Sequence, residues 1–346
     1  MFLTFTPQLY VYIDLMRRIV FVHLGPSPAE HLWMNVSSIK KRFPDMEITV
    51  IYSDDTHKPK ILGCQVDSYL YKSLNDDNQL LELLNNNLTF RGGFWRYSLE
   101  RLIALEAWHS ENLPAESFLH IESDILILNN FPFNGFDSID KLAWIKFNDS
   151  HDVSALLYSP NFESTKWLAS RIRIEIAGDL GLTDMTVLSL IRGSSPNKVF
   201  LLPTISSATS DIFEGRFDGA SIGMWLHGRD PRNHYGFVRR HMTLPNSDDK
   251  AENLKYKINR GNLWVADGKN KFPLFNLHVH SKSRKLFRSS YLYSLSGDVF
   301  WSKMRIFSYS FSLRAFLSIV QDLRKRHGIN FIRVVIKNIM TKKDYK

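Results

Sequence analysis

The run Ile19–Leu24 does most to limit what this chain can become. Its β-branched and aromatic residues stop at Gly25-Pro26, a helical stretch follows over His31–Arg42, and after Pro44-Asp45 a second run, Glu47–Tyr52, stops at Asp54-Asp55. Short, continuous apolar runs bounded by turn residues are the pattern of buried strands. A strand, a helix and a second strand in that order build a parallel sheet with helices on its faces. The class is α/β.

The same rhythm continues. Leu80–Leu88, Tyr97–His109 and Thr183–Arg192 have helical spacing, and Ser117–Leu128 (interrupted by polar residues), Lys141–Phe147 and Ser154–Tyr158 read as strands. Gly261–Val279 reads as a hairpin, with Asp267-Gly268 supplying its tight turn. Asp211–Lys257, rich in Gly, Asn, Asp and Arg, reads as a loop or lid. With 346 residues, 44% of them hydrophobic, the chain can bury a large core, which excludes disorder and low-complexity scaffolds. Its longest apolar runs fall short of the ~18 residues that a membrane span needs. The single cysteine, Cys64, cannot form an internal disulfide and disfavours structural zinc, so a reducing, cytoplasmic setting is expected. The first fifteen residues are apolar but lack the basic start and small-residue cleavage site of a signal peptide, and Met16, just before Arg17-Arg18, is an alternative start.

Charge is unevenly placed. Residues 303–346 hold eleven Lys or Arg against Asp322 and Asp344, so the whole formal charge of +9 resides there and residues 1–302 are balanced. A nucleic-acid binder is expected to carry its basic charge on the folded body, so nucleic acid is not the expected partner. The tail also spaces Phe311, Leu313, Phe316, Leu317 and Val320, then Phe331, Val334, Val335 and Ile339, at helical intervals. Basic amphipathic helices suit an anionic membrane surface, here the inner face of the plasma membrane. A terminal helix packed on the domain with a solvated basic face explains the same pattern.

Two segments can carry chemistry. In Phe118–Leu128 an apolar strand stops, presents Glu122 and Asp124 one residue apart, and becomes apolar again. Alternation puts both carboxylates on one side of the backbone. Two adjacent carboxylates are costly unless a cation or a proton lies between them, and hard divalent ions such as Mg²⁺ or Mn²⁺ take such ligands. The second segment, Phe275–Lys282, places Asn276, His278 and His280 on one strand face, with Lys282 just beyond. Two imidazoles and a lysine can supply a metal ligand and a phosphate contact together. Taken singly, these groups also fit a polar strand end and two surface histidines.

Tyr97-Ser98-Leu99-Glu100-Arg101-Leu102, then FLHIESDILIL with Asn129-Asn130-Phe131-Pro132, resembles the central region of GT-A glycosyltransferases that use nucleotide sugars. The likeness is nearest to bacterial surface-polysaccharide (capsule and lipopolysaccharide) transferases and more distant to the glycogenin-like group. Its anchors run in the family's order over residues 19–282: Arg101, Glu122 and Asp124, Thr183-Asp184-Met185, then His278 or His280 and Lys282. Glu122 replaces the family's first Asp, and Met185 replaces a Gln.

The resemblance implies a mixed, mostly parallel central sheet flanked by helices, with a C-terminal helical appendage. With the charge and spacing of the tail, the chain is expected to divide into an extension (1–18), a catalytic domain (19–300) and a basic amphipathic tail (301–346). The resemblance implies a divalent cation, Mn²⁺ or Mg²⁺, on Glu122, Asp124 and a histidine, His280 being preferred and His278 its rival. Donor contacts are expected from His23, Asp54, Arg101, Ser123, Asp184 and Lys282. An inverting transferase needs a carboxylate base, for which Asp218 and Asp184 are the candidates, whereas a retaining enzyme lets the leaving phosphate accept that proton. Arg101 has a simpler use, pairing with Glu106, and Asp218 another, capping the helix after it. The partners implied are a nucleotide-diphosphate sugar and a glycan or lipid-linked acceptor. Two other function classes fit parts of the pattern. One is a nucleotidyl- or phosphotransferase on the same carboxylates, which lacks a glycine-rich phosphate loop. The other is a non-catalytic protein that docks on membranes through its tail.

Overall fold

The computed structural model describes residues 16–25, 30–54, 66–71, 94–112, 115–179, 181–208, 210–228, 237–239, 244, 246–259, 262–280, 287 and 309–311. Strand β1 (Arg18–His23) leads into helix α1 (Glu30–Arg42) and strand β2 (Glu47–Tyr52), as the apolar runs predict. Strand β3 (Asp67–Leu70), helix α2 (Phe94–Asn112), and strands β4 (Phe118–Ile121) and β5 (Ile125–Ile127) follow. Next come β6 (Leu142–Lys146), β7 (Asp152–Ser159), helices α3 (Phe162–Gly178) and α4 (Asp184–Ser194), and β8 (Val199–Leu201).

These strands, without β5, form a seven-stranded sheet in the order β3-β2-β1-β4-β7-β6-β8. β3, β2, β1 and β4 run parallel, β7 is antiparallel to β4 and β6, and β8 is parallel to β6. The sheet is therefore mixed and mostly parallel, as expected. Alternation sorts β1 between two cores. Ile19 and Phe21 pack with Leu32, Val36 and Ile39 of α1, while Val20 packs with Leu99, Leu102 and Ile103 of α2 on the other face. Each such side chain, fully buried, stabilises by roughly 1.5–3 kcal/mol relative to exposure. Helix α3 went unread in the sequence although its signals are ordinary. Asn161 caps it by accepting from the Ser164 N–H, and Thr165, Leu168, Ala169, Ile172 and Ile176 make one buried stripe.

The chain then builds a smaller unit from separate short sheets. Helix α5 (Ser221–His227), strand β9 (Phe237–Arg239), strand β10 (Lys255–Asn259), strand β11 (Asn262–Asp267), strand β12 (Asn270–Leu274) and strand β13 (Asn276–His278) follow in order. β10, β11 and β12 form an antiparallel sheet, and the predicted turn is present, with Gly268 at φ +59°. The predicted hairpin is shorter than its apolar pattern: after Phe275 the chain leaves β11, and β13 pairs antiparallel with β5 instead. Asp211–Lys257 is not simply a lid. Phe213, Phe217 and Ile222 are buried and Asp218 has no exposed surface. Strand β14 (Tyr309–Phe311) pairs with β9 and is the only described part of the basic tail, in strand where helical spacing was expected from Phe311. The expected helix at 80–88, and most of the N-terminal extension and the tail, lie outside the described residues.

Candidate active site

β1 and β4 are neighbours, yet β2 and β3 lie to one side of β1 and β7 to the other side of β4. The strand order therefore reverses there, and α/β sheets bind ligands at the carboxyl edge of such a reversal. Glu122 is the first residue past β4 on that edge. Its N–H donates to the Ala155 carbonyl, and its own carbonyl accepts from Ile125 N at 3.0 Å, closing a tight turn before β5. Helix α1 braces this turn from one side. Asn35 donates to the carbonyls of Ser123 (3.2 Å) and Ile125 (2.6 Å), and His31 Nε2 lies 3.1 Å from Ser123 Oγ. The expected donor contact Ser123 thus has its hydroxyl engaged with α1.

β13 arrives antiparallel to β5 with His278 opposite Ile125, and Val279 N–H donates to the Asp124 carbonyl at 2.8 Å. That register brings His278 Nε2 to 3.5 Å from Asp124 Oδ1 and 3.6 Å from Glu122 Oε2. Ligand atoms of Glu122, Asp124 and His278 all lie within 4.8 Å of one another. His280, the histidine preferred from the sequence, is outside this trio. β13 ends at His278, so alternation ends too, and the His280 ring stacks on the His278 ring with centroids 3.9 Å apart.

Electrostatics single out the trio. Burial, the largest influence on His278, disfavours its charged form, but the charge of Asp124, a hydrogen bond to it and the charge of Glu122 outweigh burial and raise its pKa to about 9. His278 Nδ1 lies 2.7 Å from the Gly219 carbonyl, so Nδ1–H donates there and Nε2 faces the carboxylates. Two carboxylates and one imidazole nitrogen, with the second nitrogen held by a carbonyl, make a donor set that suits Mn²⁺ or Mg²⁺.

Arg101, from the middle of α2, closes the other side. Nη1 is ion-paired with Glu122 Oε1, and Nη2 lies 2.8 Å from both Asp184 Oδ2 and Ser154 Oγ. Glu106, its alternative partner, pairs with Arg173 at 2.7 Å. Burial acts against the Arg101 charge, yet Glu122 and Asp184 more than compensate and its pKa rises. Asp184 is the first residue of α4, behind a Thr183–Thr186 capping box, and burial raises its pKa against the pull of Arg101. Thus Arg101 from α2, Glu122 and Asp124 from the β4–β5 turn, Asp184 from α4 and His278 from β13 converge from four separate elements or turns.

The other expected site residues are placed differently. His23 ends β1, and the exposed Asp54 follows β2 on the same edge. Lys282 lies outside the described residues. Asp218 sits behind His278: burial raises its pKa, against the hydrogen bonds it accepts from the backbone N–H groups of His278, Gly223 and Ile222. His31 and Asn35 were missed. Their only sequence signal was a polar pair at i, i+4 on a helix that follows a strand.

No protein-family model and no curated protein sequence matches the chain. Among solved structures it is similar to the PaToxG glycosyltransferase, with 13% identity and a TM-score of 0.33 over 53% of this chain and 71% of that one. It is also similar to apo mouse xyloside xylosyltransferase 1, with 11% identity and a TM-score of 0.37 over 55% of this chain and 86% of that one.

Proposed function

We propose that the chain is a GT-A-like glycosyltransferase that moves a sugar from a nucleotide-diphosphate donor to a glycan or lipid-linked acceptor. The observation that carries this reading is internal to the molecule. Carboxylates from the β4–β5 turn and an imidazole from a strand about 155 residues later meet at the reversal of strand order, within 4.8 Å of one another.

In this reading Glu122, Asp124 and His278 hold Mn²⁺ or Mg²⁺. Such an ion neutralises a diphosphate leaving group as the bond to the sugar breaks. The protein's own groups do the rest. Arg101 holds Glu122 on one nitrogen and Asp184 on another, fixing the distance between the metal-side and sugar-side carboxylates. Asp184, buried at the start of α4, accepts hydrogen bonds from sugar hydroxyls. His23 and Asp54, at the carboxyl edge of β1 and β2, contact the nucleoside, and Lys282 adds positive charge for the diphosphate. The basic segment 303–346 makes peripheral contact with an anionic membrane, which places a lipid-linked acceptor within reach in bacterial surface-polysaccharide synthesis. No helix among the described residues is long and apolar enough to cross a membrane.

A thermal-shift panel of UDP, GDP, CDP and dTDP, each with and without Mn²⁺, tests the reading. A ligand at ~100 times its Kd adds about 2.7 kcal/mol to the native state. One nucleotide is expected to raise the melting temperature only when Mn²⁺ is present. A panel in which none does so contradicts it.

A further inference from the structure

Asp218 has no exposed surface, so no acceptor hydroxyl can reach it, yet it is a carboxylate placed behind a metal-site histidine. Its bonds are specific. Oδ1 accepts from Ile222 N–H at 3.0 Å, and Oδ2 accepts from Gly223 N–H at 2.8 Å and from His278 N–H at 2.9 Å. The Asp218 backbone is held as well: its N–H donates to Asn276 Oδ1 at 3.0 Å, and its carbonyl accepts from Asn276 Nδ2 at 2.9 Å. The next carbonyl, Gly219, is the one that accepts from His278 Nδ1. The fit is close enough to dictate a glycine. A Cβ on Gly223 would stand 2.0 Å from the His278 carbonyl oxygen and 2.9 Å from Asp218 Oδ2.

We infer that Asp218 is a positioning residue: its carboxylate ties the start of α5 to the His278 backbone, which keeps the Gly219 carbonyl on Nδ1 and Nε2 turned toward Glu122 and Asp124. The inference rests on the reading of Glu122, Asp124 and His278 as cation ligands. Outer-shell groups of this kind fix ring orientation and tautomer, and their loss weakens metal binding by about 10–100-fold.

The test uses the full chain in three forms: wild type, Asp218→Asn, and Gly223→Ala, whose added methyl forces β13 away from α5. Free Mn²⁺ is titrated by electron paramagnetic resonance. The His278 tautomer is read from long-range ¹H–¹⁵N NMR correlations on the neutral ring, at a pH above the titration that the same spectra record. Expected are an Nδ1–H ring in the wild type, mixed tautomers in both variants, and Mn²⁺ affinity lower by about 10–100-fold in both. Folded variants that keep the wild-type tautomer and affinity, with only a lower melting temperature, overturn the inference, because a purely structural role predicts that result. Should the wild type bind no Mn²⁺ while the tautomer responds to both variants, the cation reading fails and the positioning role stands. An Nε2–H ring in the wild type overturns the inference whatever the variants do.

Discussion

His120 and His278 are two buried histidines on strands of the same fold, and they behave in opposite ways. Each has Nδ1 against a backbone carbonyl, that of Val20 at 3.0 Å and that of Gly219 at 2.7 Å. Burial is the largest influence on both rings and disfavours charge in both. At His120 the Arg101 guanidinium adds to burial and the pKa falls to about 3. At His278 the carboxylates of Asp124 and Glu122 reverse the effect and the pKa rises to about 9. Burial alone therefore does not mark a chemical group; the charge facing Nε2 does. His120 is a neutral core residue beside Arg101, and His278 is a ligand-like imidazole beside two carboxylates.

The largest way to break this contrast is to remove the carboxylates. Asp124→Asn is expected to keep the fold and to lower Mn²⁺ affinity and donor turnover by more than the ~100-fold upper range of outer-shell changes. Retained turnover would sever His278 from any metal role. Next comes linkage between metal and protons. A cation must displace the His278 proton, so Mn²⁺ affinity is expected to rise about tenfold per pH unit from pH 7 toward 9. Calorimetry in buffers of different ionisation enthalpy checks the proton released.

Stability gives a sharper comparison in metal-free protein. His278 has its pKa raised above the unfolded value of 6.5, so its contribution is complete below pH 6.5 and is lost as pH rises through about 9. His120 has its pKa lowered, so between pH 6.5 and about 3 the unfolded chain takes a proton that the fold refuses, and stability falls as pH drops through that window. His278→Gln should flatten the alkaline side of a plot of melting temperature against pH, and His120→Gln the acid side. Exchange of those two outcomes would invert the assignment. The smallest effect is expected at His280. A stacked ring is worth ~0.5–1.5 kcal/mol, so His280→Ala should change Mn²⁺ affinity by no more than about tenfold, whereas His278→Ala should exceed that by far.

Much of the sheet was legible because its strands are short apolar runs buried on both faces, as at Ile19–Leu24 and Glu47–Tyr52. The carboxylate turn was legible for a related reason: Glu122 and Asp124 interrupt an otherwise apolar stretch. The choice between His278 and His280 was not. It depends on where β13 stops, and that is set by pairing with β5, which no local pattern encodes. Asp218 was visible as a carboxylate before a small-residue helix, but its Gly- and Asn-rich surroundings read as an open loop. Burial comes instead from residues distant in sequence, with Asn276 on its backbone and His278 on its carboxylate. His31 and Asn35 were invisible because their partners are main-chain carbonyls and a serine about 90 residues away.

Anomalous diffraction at the manganese absorption edge, on crystals soaked in MnCl₂ at pH 8, goes straight to the central question. One peak is expected, bounded by Glu122, Asp124 and the Nε2 nitrogen of His278, at ligand distances of roughly 2.0–2.3 Å. No density among those three side chains, or a peak held by other residues, would contradict the account.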